Sequence, residues 1–199
     1  MIRAIIFDIG GVLVMPGTFR FLTGKYAKMM NTDKDRVHKV FKKHWKMWST
    51  GKINEDEFFM DFLQELKAKE DKETIKKTFY SVWEPDNATF EIVQRLRKRY
   101  KIFALTNQSR ELFGFLREKY GLGKIFDDIF ASYDVKFAKP DPRFFEHVLK
   151  ETGIKPEECV FIDDREENTK VAKKLGMKAI VFKNPEDTEK QLQKLGAIF

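Results

Sequence analysis

The pattern of the chain predicts an α/β fold: a Rossmann-like parallel sheet with helices on both faces, plus an inserted small helical domain. Three observations carry this. Residues 4–7 (AIIF), 101–106 (KIFALT) and 160–162 (VFI) are apolar runs of strand length, as strands buried on both faces require. Helical-period stretches separate the later runs, and strand–helix alternation in that order implies parallel pairing. Between the first two runs, from about residue 19 to 83, the pattern is helical throughout. The expected boundaries are therefore 1–15 and 86–199 for the α/β core and 16–85 for the helical insert.

Taken in order, the first strand ends at Asp8, and Gly10-Gly11 lets the backbone turn tightly beside it. A carboxylate at a strand tip can be a nucleophile, a metal ligand or a turn-capping group. Met15-Pro16-Gly17 then breaks regular structure. In the insert, Val37, Val40, Phe41, Trp45 and Trp48 fall at helical spacing, as do Phe58, Phe59, Phe62, Leu63 and Leu66, and about four helices fit its length. Thr50-Gly51 closes one helix; Asn54 and Glu57 form a capping box for the next, with Ile53 and Phe58 as its hydrophobic staple. Trp45, Trp48, Phe58, Phe59 and Trp83 are read as the insert's own core, with a few left to line a lid. His38 and His44 lie six apart, which is not the spacing of a helical metal pair, and both are read as surface or partly buried; His147 has no ligand partner nearby.

Pro85-Asp86 starts a helix through Ile92, Val93, Leu96 and Tyr100, and a strand over 102–105 follows. Ser109 is an N-cap, and Gly121 stops its helix. Thr106 and Asn107 thus lie between a strand end and a helix start, where free backbone N–H groups favour an anion. A short strand is expected over 129–132. Lys139 sits in the proline-stiffened loop FAKPDP, before a helix capped by Asp141-Pro142 and stopped by Gly153. The strand over 160–162 leads into Asp163-Asp164, and the pattern then predicts a helix over 168–175, a strand over 178–182 and a helix over 187–195. Adjacent carboxylates repel, so a cation is the natural compensation, and hard oxygen donors favour Mg²⁺.

The 199 residues are 42% hydrophobic and 35% charged, which fits a water-soluble globular protein. No apolar run approaches the roughly 20 residues of a membrane span, and the N-terminus runs straight into a strand without a signal-peptide pattern. A cytoplasmic, non-membrane protein is expected. Cys159 is the only cysteine, which excludes an internal disulfide and leaves it as a small core residue. The net charge of +7 is spread among acidic residues along helices, so a nucleic-acid partner is not favoured. A basic field would, however, draw in small anionic substrates.

In order, then, the chain presents a strand-tip carboxylate, a hydroxyl, a loop lysine and an acid pair. This series resembles the four motifs of the haloacid dehalogenase superfamily, and the insert resembles the C1-type helical cap of its dehalogenase-like branch. The resemblance implies a Mg²⁺-dependent phosphatase acting on a small phosphorylated metabolite through an aspartyl-phosphate on Asp8. Asp8, Thr106 and Lys139 would be catalytic; Gly10, Gly11, Thr106, Asn107 and Lys139 would bind substrate. Asp8, Asp164, the Gly10 carbonyl and, directly or through water, Asp163 would hold Mg²⁺. One departure stands out: phosphatases of the family usually carry a second aspartate where this chain has Gly10, and general acid–base help is worth about 10²–10⁴-fold. Two alternatives follow. A 2-haloacid dehalogenase attacks with the same aspartate and needs no metal, but typically lacks the acid pair; a low-activity phosphate-binding regulatory protein would suit Gly10. Gln108, Arg110 and Arg165 are read as surface residues.

Overall fold

A computed structural model describes residues 1–198 of the chain. Its centre is a parallel sheet of β1 (Ala4–Phe7), β4 (Lys101–Thr106), β5 (Asp128–Ala131), β6 (Cys159–Asp163) and β7 (Lys178–Val181), in the order β5-β4-β1-β6-β7. Strand β1 is central, and every residue of it is buried, which explains its unbroken apolar run. Alternation along the strands feeds two cores. Ile5, Phe7, Ile102, Ala104, Val160 and Ile162 pack on one face with α5 (Asn87–Leu96), α6 (Arg110–Tyr120) and α10 (Pro185–Lys194). Ala4, Ile6, Phe103, Leu105 and Phe161 pack on the other with α8 (Pro142–Thr152) and α9 (Glu166–Lys174). Helices therefore cover both faces, as the sequence pattern predicts. Cys159 is buried in β6, and burial, followed by the charges of Glu158 and Glu157, pushes its thiol up to about 12.

The insert contains α1 (Phe19–Met29), α2 (Lys34–Ser49), α3 (Glu55–Leu66) and α4 (Lys72–Tyr80). It leaves and rejoins the chain through an antiparallel pair, β2 (Val14–Met15) with β3 (Glu84–Pro85). Two-residue strands carry no readable period, so the pattern did not predict them, and Pro85 belongs to β3 rather than to the start of a helix; Asp86 caps α5 instead. The capping box is formed: Asn54 Oδ1 accepts from the Glu57 N–H and Glu57 Oε2 from the Asn54 N–H. Tyr26, Phe41, Trp48, Phe58, Phe59, Phe62 and Phe79 form the insert's core, with Trp48 stacked on Phe58 at 4.4 Å. Trp48 Nε1 donates to Glu111 of α6 at 2.8 Å, and the Ser132 hydroxyl to the Ser49 carbonyl at 2.5 Å, which ties the insert to the core.

Several local readings need correction. Helix α9 begins at Glu166, not 168, because Glu166 and Glu167 complement its N-terminal dipole without a side-chain cap. Helix α10 begins at Pro185, with Asn184 accepting from the Asp187 N–H. Ser132 opens a single helical turn, Ser132–Val135, rather than ending β5. His44 is fully buried, its Nε2 2.7 Å from Glu65, whereas His38 is half-buried against the Thr23 hydroxyl at 3.2 Å.

Candidate active site

Strands β4, β1 and β6 are neighbours, and their carboxyl ends place Thr106, Asp8 and Asp163 side by side. This is the edge of an open α/β sheet where the strand order reverses and ligands bind. Lys139 arrives from the loop before α8. Its ammonium has Asp8 Oδ1 at 2.9 Å, Asp163 Oδ2 at 2.7 Å and the Leu105 carbonyl at 2.7 Å, one acceptor for each of its protons. The Asn107 amide fixes that loop, donating from Nδ2 to the Lys139 carbonyl and accepting the Lys139 N–H on Oδ1, both at 2.9 Å. The side chain of Asn107 thus holds Lys139.

Asp8 is held equally firmly. Its Oδ1 accepts from the Ile9 N–H at 2.7 Å and from Lys139, while Oδ2 has no hydrogen bond among the described residues. The Ile9 carbonyl accepts from the N–H groups of Leu13 and Val14, which curls the loop over the strand end. Gly11 has φ +86°, and a Cβ there would meet Asp164 Oδ2 at 2.6 Å. Both the backbone and the space therefore demand glycine at 11. Gly10 differs: its backbone is ordinary, and a Cβ there would meet only Gln108 Nε2, at 3.4 Å.

Asp163 is wholly buried. Its Oδ1 accepts from the Arg165 N–H and from Asn168 Nδ2, both at 2.8 Å, and its Oδ2 from Lys139. Asp163 thus meets the site through Lys139, and its Oδ2, with a single donor, keeps a lone pair open. Asp164 is half-buried at the edge of the cavity. Carboxylate oxygens of Asp8, Asp163 and Asp164 lie within 4.8 Å of one another, against the single ammonium of Lys139. Burial, with the charges of Asp163 and Asp164, pushes Asp8 up to about 7 despite Lys139. Burial and then Asp163 push Asp164 up to about 6. Lys139 moves the other way: burial alone would lower it, but Asp163 and Asp8 outweigh that and raise it, so it stays charged. Such an excess of oxygen donors with perturbed pKa values fits a hard divalent cation.

Asp8, Gly10, Thr106, Asn107, Lys139 and Asp164 line one cavity of about 670 Å³, roofed by residues of α1 and α2, including Trp45. Thr106 is fully buried and its hydroxyl has no partner. Two residues depart from the sequence reading, which takes Gln108 as a surface residue and gives Asn168 no role in the site. Gln108 is buried beside Gly10, its N–H donating to the Ser132 hydroxyl at 3.1 Å, and its Oε1 is unpartnered; Asn168 is buried against Asp163 with an unpartnered Oδ1. The polar run TNQ after a strand was the available signal for the first, and an amide in the first turn after the acid pair for the second. Arg165 and Arg110 are exposed, as expected, although Arg165 borders the cavity. Among the described residues, no helix is long and apolar enough to cross a membrane.

Known proteins resemble this chain in sequence and in fold. The chain is 30% identical over 178 residues to a sesquiterpene phosphatase of Aspergillus oryzae, covering 88% of this chain and 87% of that one. It is 27% identical to a D-ribitol-5-phosphate phosphatase of Bacteroides thetaiotaomicron, covering 96% and 97%. A drimenol cyclase of Aspergillus calidoustus is 28% identical over 96% of this chain, which spans only 36% of that longer protein. In fold, the crystal structure of a HAD-family enzyme of Bacteroides thetaiotaomicron, in complex with magnesium and inorganic phosphate, matches with a TM-score of 0.79 at 24% identity, covering 92% of this chain and 95% of that one. A model of the haloacid dehalogenase-like hydrolases matches residues 2–176, nearly the whole length, and the chain belongs to that family.

Proposed function

We propose that the protein is a Mg²⁺-dependent phosphatase that hydrolyses a small phosphorylated metabolite through an aspartyl-phosphate. One observation carries the reading: three carboxylates gathered within 4.8 Å around one lysine. That charge excess suits a metal-assisted phosphatase, whereas a metal-free 2-haloacid dehalogenase has no use for the acid pair. Relatives named as phosphatases support the same choice. Residues 1–15 and 86–199 act as the catalytic core in this reading, and 16–85 as a cap over it.

Asp8, Asp164 and the Gly10 carbonyl would hold Mg²⁺, with Asp163 behind Lys139. When bound, the ion would neutralise phosphate charge and orient the phosphoryl group. Lys139 and the Ile9 N–H fix Asp8 Oδ1, leaving Oδ2 as the attacking atom. The Oδ2–P bond forms as the bond from phosphorus to the leaving oxygen breaks, and the alcohol departs with a proton from water. The unpartnered Thr106 hydroxyl donates to a phosphoryl oxygen, and Lys139 supplies positive charge from a buried position, where such interactions count most. Asn107 keeps Lys139 in place, and Gly10 and Gly11 bring the loop backbone close. Water then attacks phosphorus, releasing inorganic phosphate and restoring Asp8. Gly10 offers no proton, so esters with good leaving groups turn over fastest.

The test is hydrolysis of p-nitrophenyl phosphate with MgCl₂ and with EDTA. Release that requires the metal supports the reading. No release in either condition, from folded protein, would leave the phosphate-binding regulatory reading, to which Gly10 is suited, and a 2-haloacid assay would decide the dehalogenase.

A further inference from the structure

The face of α2 that lines the cavity carries charge without partners. His38, Lys42, Trp45 and Ser49 line it at steps of four, three and four residues, the spacing of one helical face, and Lys46 lies one turn after Lys42 beside Trp45. Lys42 and Lys46 are exposed and form no ion pair among the described residues, and neither does Lys52 just beyond the helix. Most other cations nearby are matched, and Lys136, which also lines the cavity, donates to the Tyr133 carbonyl at 2.8 Å. Lys43, on the same helix, pairs with Glu65 at 2.7 Å; Arg143 and Arg165 pair with Asp141 and Glu167 at the cavity's edge. The acidic lining is fully assigned, since Asp8 and Asp164 lie at the reacting centre and Asp141 and Glu167 are those two partners. His38 is held below its ordinary value by burial, then by Arg20 and Lys42. Trp45, packed 4.6 Å from Phe19 and 5.5 Å from Trp48, sets a rigid aromatic surface between the two lysines.

Two ammonium groups one helical turn apart, facing a phosphate-sized charge site across a cavity of about 670 Å³, ask for an anion of their own. Resting on the phosphatase reading, we infer that the substrate is a small phosphate monoester whose body carries a second anionic group, a phosphate or a carboxylate, held by Lys42 and Lys46 with Lys52 at the rim. The ester phosphate meets Asp8 and Thr106 at one end, and the second anion meets α2 at the other.

Two matched pairs test this: glycerol 3-phosphate against 3-phosphoglycerate, and fructose 6-phosphate against fructose 1,6-bisphosphate. The intact enzyme should prefer the doubly anionic member of at least one pair by about tenfold or more, chiefly in KM, and the preference should shrink with added salt. Which pair shows it tells carboxylate from phosphate. The double variant Lys42→Ala/Lys46→Ala should bring the preference within about twofold, and Lys42→Arg/Lys46→Arg should keep it. Lys39→Ala, an exposed α2 lysine that does not line the cavity, controls for net charge and should also keep it. Calorimetry on Asp8→Asn reads the same preference as affinity without turnover. Equal handling of both pairs by the intact enzyme, survival of the preference in the double alanine variant, or its loss in Lys39→Ala would each overturn the inference. A binding preference without hydrolysis would overturn the phosphatase and leave the second-anion site standing. Hydrolysis of p-nitrophenyl phosphate without any preference would do the reverse.

Discussion

At the carboxyl edge of the sheet, Asp8, Lys139 and Asp163 are buried, and all but one of their polar atoms are engaged at 2.7–2.9 Å. On α2, across the same cavity, Lys42 and Lys46 stand exposed and unpaired, and the helix that carries them is anchored by aromatic packing beneath. The contrast separates two tasks. A buried group can be aimed only by saturating its partners, which suits a nucleophile whose position decides the rate. An exposed group on a well-packed helix keeps its side-chain freedom, which suits selection among substrates. Changes at the sheet edge should therefore destroy activity, while changes on the insert should adjust preference or stability.

The largest effect belongs to Asp8. Asp8→Asn keeps the shape but removes the nucleophilic charge, and phosphatase turnover should fall by about 10³-fold or more, with the melting curve preserved. Retained turnover in this variant would end the covalent mechanism. Lys139→Met should cost both activity and stability. It leaves Asp8 and Asp163 buried without their cation, and breaking such a pair is worth about 3–5 kcal/mol, to be read from urea denaturation.

The two glycines sharpen the comparison within a single loop. At Gly11 a Cβ would press on Asp164 in a left-handed backbone, so Gly11→Ala should lower stability by about 1–3 kcal/mol and abolish turnover. At Gly10 the backbone is unstrained and Gln108 need only yield slightly, so Gly10→Asp should fold normally. It should also raise turnover of esters with poor leaving groups by about tenfold or more, because it supplies the missing proton donor. A fall in rate would mean that Gln108, rather than a carboxylate, is what this loop is built around.

Titration probes the charge excess directly. Asp8 and Asp164 are raised from an ordinary 3.8 to about 7 and about 6, so in metal-free protein the stability present below the unfolded value is lost as pH rises through that range. Mg²⁺ binds the ionised carboxylates and should offset the loss. The rise in Tm given by MgCl₂ over EDTA should accordingly be small near pH 5 and grow towards pH 8. A difference independent of pH would place the ion elsewhere.

Much of the sheet edge was legible in the sequence because burial on both faces writes unbroken apolar runs, and whatever follows such a run stands at the edge. Position puts Asp8, Thr106 and Asp163 at that edge, while their roles are read from the resemblance of the four motifs taken together. Lys139 was legible through its stiff loop, but its partners were not, since the Leu105 carbonyl and Asp163 reach it only when three strands are aligned. Gln108 escaped because its burial depends on Ser132 and on the emptiness of Gly10. His44 escaped because Glu65, its partner, lies on another helix. The cavity-facing side of α2 was hidden for the same reason: Lys42 and Lys43 look alike in sequence, and only the docking of the insert tells which one faces the cavity.

The smallest predicted effect lies in the insert and marks the other limit of the comparison. Asn54 caps α3 through the Glu57 N–H, and Glu57 answers with a bond to the Asn54 N–H, so Asn54→Ala leaves one helix N–H unmet and loosens the reciprocal bond. The cost should be about 1 kcal/mol in denaturant unfolding. Neither residue lines the cavity of Asp8, and α3 packs through Phe58, Phe59 and Phe62, which the cap does not touch. Turnover of p-nitrophenyl phosphate at 25 °C should therefore stay within twofold of the parent. If it fell with stability, the packing of the insert would be coupled to the sheet edge, and the separation between aiming and selecting would fail at α3.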